Sequence, residues 1–379
     1  MPNGKVNVLS CNMCVIPTLT AVDDAGNVGQ HTSLALLDNG NPVISYVEIN
    51  TALKVAVCDD PLCETSTRTT VDPSRAEYTS LALSDAGFPV ISYYDAVNHD
   101  LELAICHDQT CTNPPTLKTI DSEGRQGKYS SLALNSQGFA VVSYYDETDF
   151  DLKLAVCNDA ACTNPSIEVV DGTTSLVGEY TSLVLDDNGF PVISYYSLSG
   201  GILKLVTCTD ATCSNPPNIR EFPNSTEDVG KHTSLALSSQ GFPVVSYYDD
   251  TNDDLKLLVC LNANCTFARN RVDSVGDVGR YSSLALTDND IPIIGYFDST
   301  NDDLKVAVCS TSTCSTSTLT TVEHLGLVGD YTSVALNSDG YPVISYYDGS
   351  PNVDLKLAVF APPAPVYEIY LPLVLLSSQ

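Results

Sequence analysis

Tyr281-Ser-Ser-Leu-Ala-Leu286, Pro292-Ile-Ile-Gly-Tyr-Phe-Asp298, Asp303-Leu-Lys-Val-Ala-Val-Cys309 and Thr318-Leu-Thr-Thr-Val322 follow one another with only short polar turns between them. Each stretch is five to seven residues long, rich in Val, Ile, Leu, Tyr and Thr, and bounded by Asp, Asn, Gly or Pro. That is the pattern of β-strands joined by hairpin-length connections. The first three stretches are apolar or small on both alternating faces, so the sheet they form is covered on both sides. The fourth alternates Thr with apolar residues, as an outermost strand does.

Moving outward from this unit, its opening segment returns at His31, Tyr78, Tyr129, Tyr180, His232, Tyr281 and Tyr331, in steps of 47, 51, 51, 52, 49 and 50 residues. Seven four-stranded units of about 50 residues predict an all-β fold, a seven-bladed β-propeller of antiparallel blades. An open β-solenoid competes less well, because its coils repeat at shorter periods and need caps. The chain ends fit ring closure. Thr18-Leu-Thr-Ala-Val-Asp23 matches a fourth strand, while the seventh unit stops after its third, Leu355-Lys-Leu-Ala-Val-Phe360. Residues 1–361 therefore read as one propeller in which 1–30 complete the last blade. Val6 to Cys11 also resembles a third strand, either surplus or a fifth strand of that blade. Residues 362–379 form a Pro-rich apolar tail, suited to docking on the propeller, pairing with an edge, or acting as a sorting or attachment segment.

The fourteen cysteines fall into seven pairs. Six share Cys-x4-Cys spacing: Cys58 with Cys63, Cys106 with Cys111, Cys157 with Cys162, Cys208 with Cys213, Cys260 with Cys265, and Cys309 with Cys314. The seventh, Cys11 with Cys14, is closer. Each regular pair lies at the turn between third and fourth strands, where two Cys across a hairpin reach bonding distance. A zinc site needs four converging ligands, and sevenfold symmetry would carry these pairs to separate points on the rim. Disulfides are expected, hence an oxidising compartment and a secreted or cell-surface protein. No leader peptide is recognisable at Met1, so either one is expected to have been removed or the chain to have been trimmed.

Composition narrows function by exclusion. The 379 residues carry 47 Asp and Glu against 17 Lys and Arg, a net charge of −30. With no basic block to replace phosphate counterions, nucleic acid is not a partner, nor is an anionic membrane surface. The 43% apolar content is that of a folded protein, and no apolar run approaches the roughly 20 residues of a membrane-spanning helix.

Three recurrent polar features are candidates for function. The turn between second and third strands carries Asp95 and Asp100, Asp146 and Asp151, Asp249 and Asp254, Asp298 and Asp303, and Asp348 and Asp354. Oxygen ligands clustered on a turn suit Ca²⁺; Asp and Asn capping their own backbone is the competing account, and the Lys that follows pairs with a neighbouring Asp. Second, His31, Tyr78, Tyr129, Tyr180, His232, Tyr281 and Tyr331 would ring one mouth of the central channel, as ligand-binding residues or as blade packing. The glycine two residues earlier in most units would let the crossing loop turn sharply. Third, the fourth-strand ends Asp23, Asp72, Asp121, Asp171, Asp273 and Glu323 feed the same face, which is expected to be strongly negative and to attract cations and basic partners.

The repeat, with segments such as Phe242-Pro-Val-Val-Ser-Tyr-Tyr-Asp249, resembles that of secreted bacterial seven-bladed propellers, the sialidase-like and lectin-like families included, over residues 5 to 360. The resemblance implies the architecture. The sialidase Asp box, Ser-x-Asp-x-Gly-x-x-Trp, is absent, and the chain contains no Trp, so sialidase catalysis is not carried over. The Gly-x-Ser-x-Gly elbow, phosphate loop and His-Glu-x-x-His zinc motif are missing too, leaving no catalytic residue to name. The leading expectation is a non-catalytic extracellular module with repeated sites for a glycan, polymer or protein, with Ca²⁺ as its one candidate cofactor. The alternatives are a cell-surface assembly protein that associates with itself, and a glycoside hydrolase or lyase with one pocket breaking the symmetry near units one and four.

Overall fold

The structure, a computed structural model, describes residues 16–172, 176–222 and 227–361. Among these residues twenty-eight strands, β1 to β28 in chain order, form seven four-stranded antiparallel sheets arranged as the blades of a propeller. Blade 1 runs β2 (Val28–Leu36), β3 (Pro42–Glu48), β4 (Ala52–Cys58) and β5 (Ser66–Asp72) from axis to rim. The next five blades repeat this order. Blade 7 combines β26 (Leu327–Leu336), β27 (Pro342–Ser350) and β28 (Asp354–Val359) with β1 (Thr18–Asp23), Thr18 lying opposite Val359. The expected closure is therefore present. The strand-like stretch Val6–Cys11, the expected bridge between Cys11 and Cys14, and the tail 362–379 lie outside the described residues.

Among the described residues there is no central core. Each apolar cluster spans a junction between two blades: Leu152, Leu154 and Val156 of blade 3 pack against Val177, Ile193, Tyr195 and Val206 of blade 4. Second and third strands are buried on both faces, and the fourth alternates exposed and half-buried residues until its last turn, as in Thr116–Asp121. All six Cys-x4-Cys pairs are bonded as expected. Cys58 joins Cys63, Cys106 joins Cys111 and Cys157 joins Cys162. Likewise Cys208 joins Cys213, Cys260 joins Cys265 and Cys309 joins Cys314. The bridges close the turns between third and fourth strands, with Cα atoms 4.4–5.0 Å apart. Each sits in the junction cluster with the preceding blade; in blade 7 the aromatic Phe360 takes that place.

The innermost strands are joined by a repeated clasp. Two residues after each channel aromatic a serine Oγ accepts the backbone N–H of the next blade, Ser33 from Leu81 and Ser131 from Leu183, and so around to Ser333 from Leu34, all at 2.9–3.0 Å. In six blades the buried Thr or Ser one residue after the aromatic donates to the carbonyl of the preceding blade's aromatic, as Thr79 does to His31 at 2.8 Å and Ser130 to Tyr78 at 2.9 Å, while Thr181 of blade 4 pairs with the Ser143 hydroxyl. Side-chain hydroxyls thus pair groups that two neighbouring inner strands cannot pair through a ladder.

The inner strands start earlier than the sequence suggests. His31 is the fourth residue of β2, and Gly29 lies inside the strand at a β-bulge, not in the crossing loop. Its φ is +106°, and a Cβ there would fall 2.8 Å from the Leu355 backbone of the preceding blade. Close approach at positive φ, more than a sharp turn, is what demands glycine.

Candidate functional site at the channel mouth

A second register break sets up the site. It falls between Gln30 and Ser33 in blade 1, between Glu77 and Ser80 in blade 2 and at the matching place in every other blade, and the channel aromatic inside it takes a left-handed backbone, with φ between 51° and 56° in all seven blades. Such a conformation costs a bulky residue about 1 kcal/mol or more. It swings seven side chains toward the axis, where His31, Tyr78, Tyr129, Tyr180, His232, Tyr281 and Tyr331 form an unbroken ring. Neighbouring centroids lie 4.3–4.6 Å apart. The ring nearly fills the bore and floors a shallow depression of about 180 Å³. Each member is partly exposed. Burial drives the imidazoles of His31 and His232 down to a pKa of about 3, so both are neutral at any ordinary pH. Burial also raises the phenols, that of Tyr281 to about 12.

A second aromatic tier stands outside the first. Tyr94, Tyr145, Tyr196, Tyr248 and Tyr347, at the ends of the second strands, sit 6.3–6.5 Å from the inner ring. Phe297 holds the equivalent position in blade 6 and Val47 in blade 1. Between the tiers rises a crown of five residue types that follows no blade-to-blade pattern: Gln30, Glu77, Lys128, Glu179, Lys231, Arg280 and Asp330, each one residue before its channel aromatic. Lys128, Lys231 and Arg280 lie over Tyr94, Tyr196 and Tyr248 at 5.0–5.8 Å and pair with Glu147, Asp250 and Asp277. Glu179 and Asp330 are carboxylates with raised pKa values, Asp330 to about 6. Burial is the main cause, and Asp302 adds to it at Asp330 against the pull of Arg280.

The ten candidate calcium carboxylates form five pairs across the hairpins, such as Asp95 opposite Asp100 and Asp146 opposite Asp151. The first member caps its turn: Asp95 accepts Val97 N at 2.7 Å and Asp146 accepts Thr148 N at 2.8 Å. Four first members also meet the following Lys. Asp249 meets Lys256, and the separations are 3.0 Å for Asp146 and Lys153, 2.8 Å for Asp348 and Lys356, and 3.5 Å for Asp298 and Lys305. Burial and the facing carboxylate push the second member up, Asp151 to about 6. Among the described residues no group of three or more His, Cys, Asp or Glu is arranged to share a metal ion.

The fourth-strand acids do not form the expected negative surface. They are turned into the junctions, where a Tyr of the next blade donates to each at 2.5–2.7 Å: Tyr46 to Asp23, Tyr93 to Asp72, Tyr144 to Asp121, Tyr195 to Asp171, Tyr296 to Asp273 and Tyr346 to Glu323. Lys54, Lys153, Lys204, Lys305 and Lys356 add ion pairs to five of them at 2.5–3.2 Å. Asp23 is 1% exposed. Burial alone would raise its pKa, but Lys54 and Tyr46 hold it below the usual carboxylate value. These residues latch blade to blade. The sequence signal was the joint recurrence of acid, Tyr and Lys across consecutive units; blade 4, which ends in Phe222, leaves Tyr247 without a well-formed hydrogen bond.

A seven-bladed propeller with an aromatic, polar-crowned axial mouth is thus the class that fold and site define. No family model and no curated protein matches the sequence. Solved structures match the fold. An ulvan lyase of a polysaccharide-lyase family has a TM-score of 0.58 at 11% identity, covering 92% of this chain and 95% of its own. An oligogalacturonate lyase in complex with manganese has 0.59 at 12%, covering 92% and 94%. A fungal alcohol oxidase in complex with copper has 0.59 at 10%, covering 91% and 76%. Likeness at these identities is likeness of fold, and one fold here serves different chemistries.

Proposed function

We propose that this chain is a non-catalytic carbohydrate-binding propeller, working outside the cell or at its surface, whose ligand lies across the axial mouth. The observation that carries the reading is the ring of seven partly exposed His and Tyr side chains, each held in a backbone conformation that costs energy, beneath seven crown residues of five different types. A plug serving only to close the bore needs neither polar tips nor a varied rim. Aromatic faces stack on the apolar faces of sugar rings, while phenols, amides and charged groups above them meet hydroxyls. The six disulfides fit an oxidising compartment. Binding without turnover is favoured because the two crown carboxylates with raised pKa values, Glu179 and Asp330, stand on blades 4 and 7 and do not share a blade or a junction. The first carboxylate of each turn pair is engaged in a cap or a Lys pair, and the second, with its pKa raised, faces it with no third acid among the described residues placed to share a metal ion, so calcium is assigned no role in binding.

The test is a glycan and polysaccharide screen on the oxidised protein, in calcium and again in chelator. Binding in both buffers that Tyr180→Ala weakens at least tenfold is the expected result. Binding lost in chelator would bring calcium into the site. Shortened or unsaturated products would make the protein an enzyme. An empty screen in both buffers would remove the carbohydrate reading in favour of self-assembly at the cell surface.

A further inference from the structure

The junction between blades 1 and 2 departs from the other six in three ways that meet at one point. Val47 stands where every other blade places a Tyr or Phe of the outer aromatic tier. The bulge glycine of the inner strand is missing from β6 (Ala76–Leu83): Ala76 pairs with Asp95 and Glu77 with Tyr94 without the register break seen between Val28 and Gln30. In addition, the residue before each bulge glycine donates its N–H to the turn of the preceding blade, at 2.8–3.0 Å, as Gln126 does to His99 and Val177 to Phe150. Among the described residues no such bond joins Ala76 to Asn50.

A smaller side chain, a missing residue and a missing bond open a cavity of about 280 Å³ beside the axial mouth. Gln30, Asn50, Arg75 and Glu77 supply its polar groups, and His31 and Tyr78 of the channel ring form its aromatic wall. We infer that this cavity anchors the terminal ring of a neutral oligosaccharide, the rest of which crosses the aromatic mouth. The inference rests on the carbohydrate reading above. Amide, guanidinium and carboxylate groups are planar and forked, and engage adjacent hydroxyls two at a time. The volume lies just under the roughly 300 Å³ at which pockets for larger ligands begin, which suits one sugar ring and no more. Arg75 pairs with Glu77 at 2.9 Å, so the cavity offers no unpaired cation to a uronate or sulfate.

Val47→Tyr restores the aromatic of the other blades and fills the cavity; Arg75→Ala removes one forked donor at an exposed position. Both are titrated calorimetrically, beside the unaltered protein, against neutral gluco-, xylo-, manno- and galacto-oligosaccharides and an oligogalacturonate. A neutral oligosaccharide bound by the unaltered protein, at least tenfold weaker in each variant and competed by its terminal monosaccharide, is the expected result. If Val47→Tyr does not fold, Arg75→Ala decides. Binding within twofold of the unaltered protein in the folded variants, or a preference for the oligogalacturonate, overturns the anchor site and leaves the carbohydrate reading standing. No binding by the unaltered protein removes that reading, and this one with it.

Discussion

Within four residues of each inner strand the molecule follows two opposite rules. At Thr32 and Ser33, and at their counterparts in the other six blades, only Thr or Ser occurs at the first position and only Ser at the second, and the serine makes the same bond every time. At Gln30 and its six counterparts there are two lysines, two glutamates, one arginine, one aspartate and one glutamine. The clasp faces the next blade, whose backbone is the same at every step, so its chemistry has one solution. The crown stands half-buried above the mouth, where the side chains it meets, such as Glu147 beside Lys128 and Asp250 beside Lys231, themselves differ from blade to blade. Repetition in this chain marks what closes the ring, and departures from it are where a ligand can be told apart.

If the repeated features carry the fold, reducing the six bridges has the largest effect. Loops this short contribute about 2 kcal/mol each in the entropic account, and together they approach the whole stability of a typical domain. Thermal melts followed by circular dichroism should show the reduced protein melting more than about 15 °C lower; a shift of a few degrees would put the stability elsewhere. Next is the clasp. Ser131→Ala strips the acceptor from the buried Leu183 N–H and should cost about 1–3 kcal/mol in urea unfolding, whereas Gln30→Ala in the crown should stay within about 0.5 kcal/mol. Equal costs would abolish the distinction between the two rules.

The latch supplies a comparison inside the repeated set. Tyr296→Phe removes a hydrogen bond to the buried Asp273 carboxylate and should cost about 1.5–3 kcal/mol. Tyr247→Phe removes a hydroxyl with no well-formed partner and should be neutral or slightly stabilising. A smaller effect belongs to the crown. The folded-state pKa of Asp330, about 6, lies above the ordinary 3.8. The folded protein therefore holds this proton more tightly than the unfolded chain, and the stability it confers is complete below pH 3.8 and lost as pH rises through 6. Asp330→Asn should then add about 1 kcal/mol at about pH 7 and nothing at about pH 4. A gain equal at both pH values would dissociate it from titration.

The propeller was legible because its information is local and repeated: strand patterns, the Cys-x4-Cys hairpins and the fourth-strand match at Thr18–Asp23 can each be read inside one unit. The latch was not, because its members belong to different blades. Asp121 reads as a charged strand end until Tyr144 and Lys153, more than twenty residues on, are known to meet it across a junction. The channel ring was legible in position. Its consequence was not, since the register break between Glu179 and Ser182 that holds Tyr180 inward is a backbone event with no glycine in it to mark the place. The cavity at Val47 left visible marks, a 47-residue step and an aliphatic residue in an aromatic column, which gain meaning only when both are seen to border one space.

The pairing of Thr18 with Val359 also has a temporal side. Six junctions form between blades that leave the ribosome one after the other; the seventh waits for nearly the whole chain. Bringing its ends together costs about 2 kcal/mol more than joining consecutive blades, and until then β28 presents an open edge able to pair with another molecule. Refolding yield should therefore fall with protein concentration more steeply for the intact chain than for a circular permutant cut between blades 3 and 4, in which the present ends are joined by a linker and the fourth strand of every blade follows its own third.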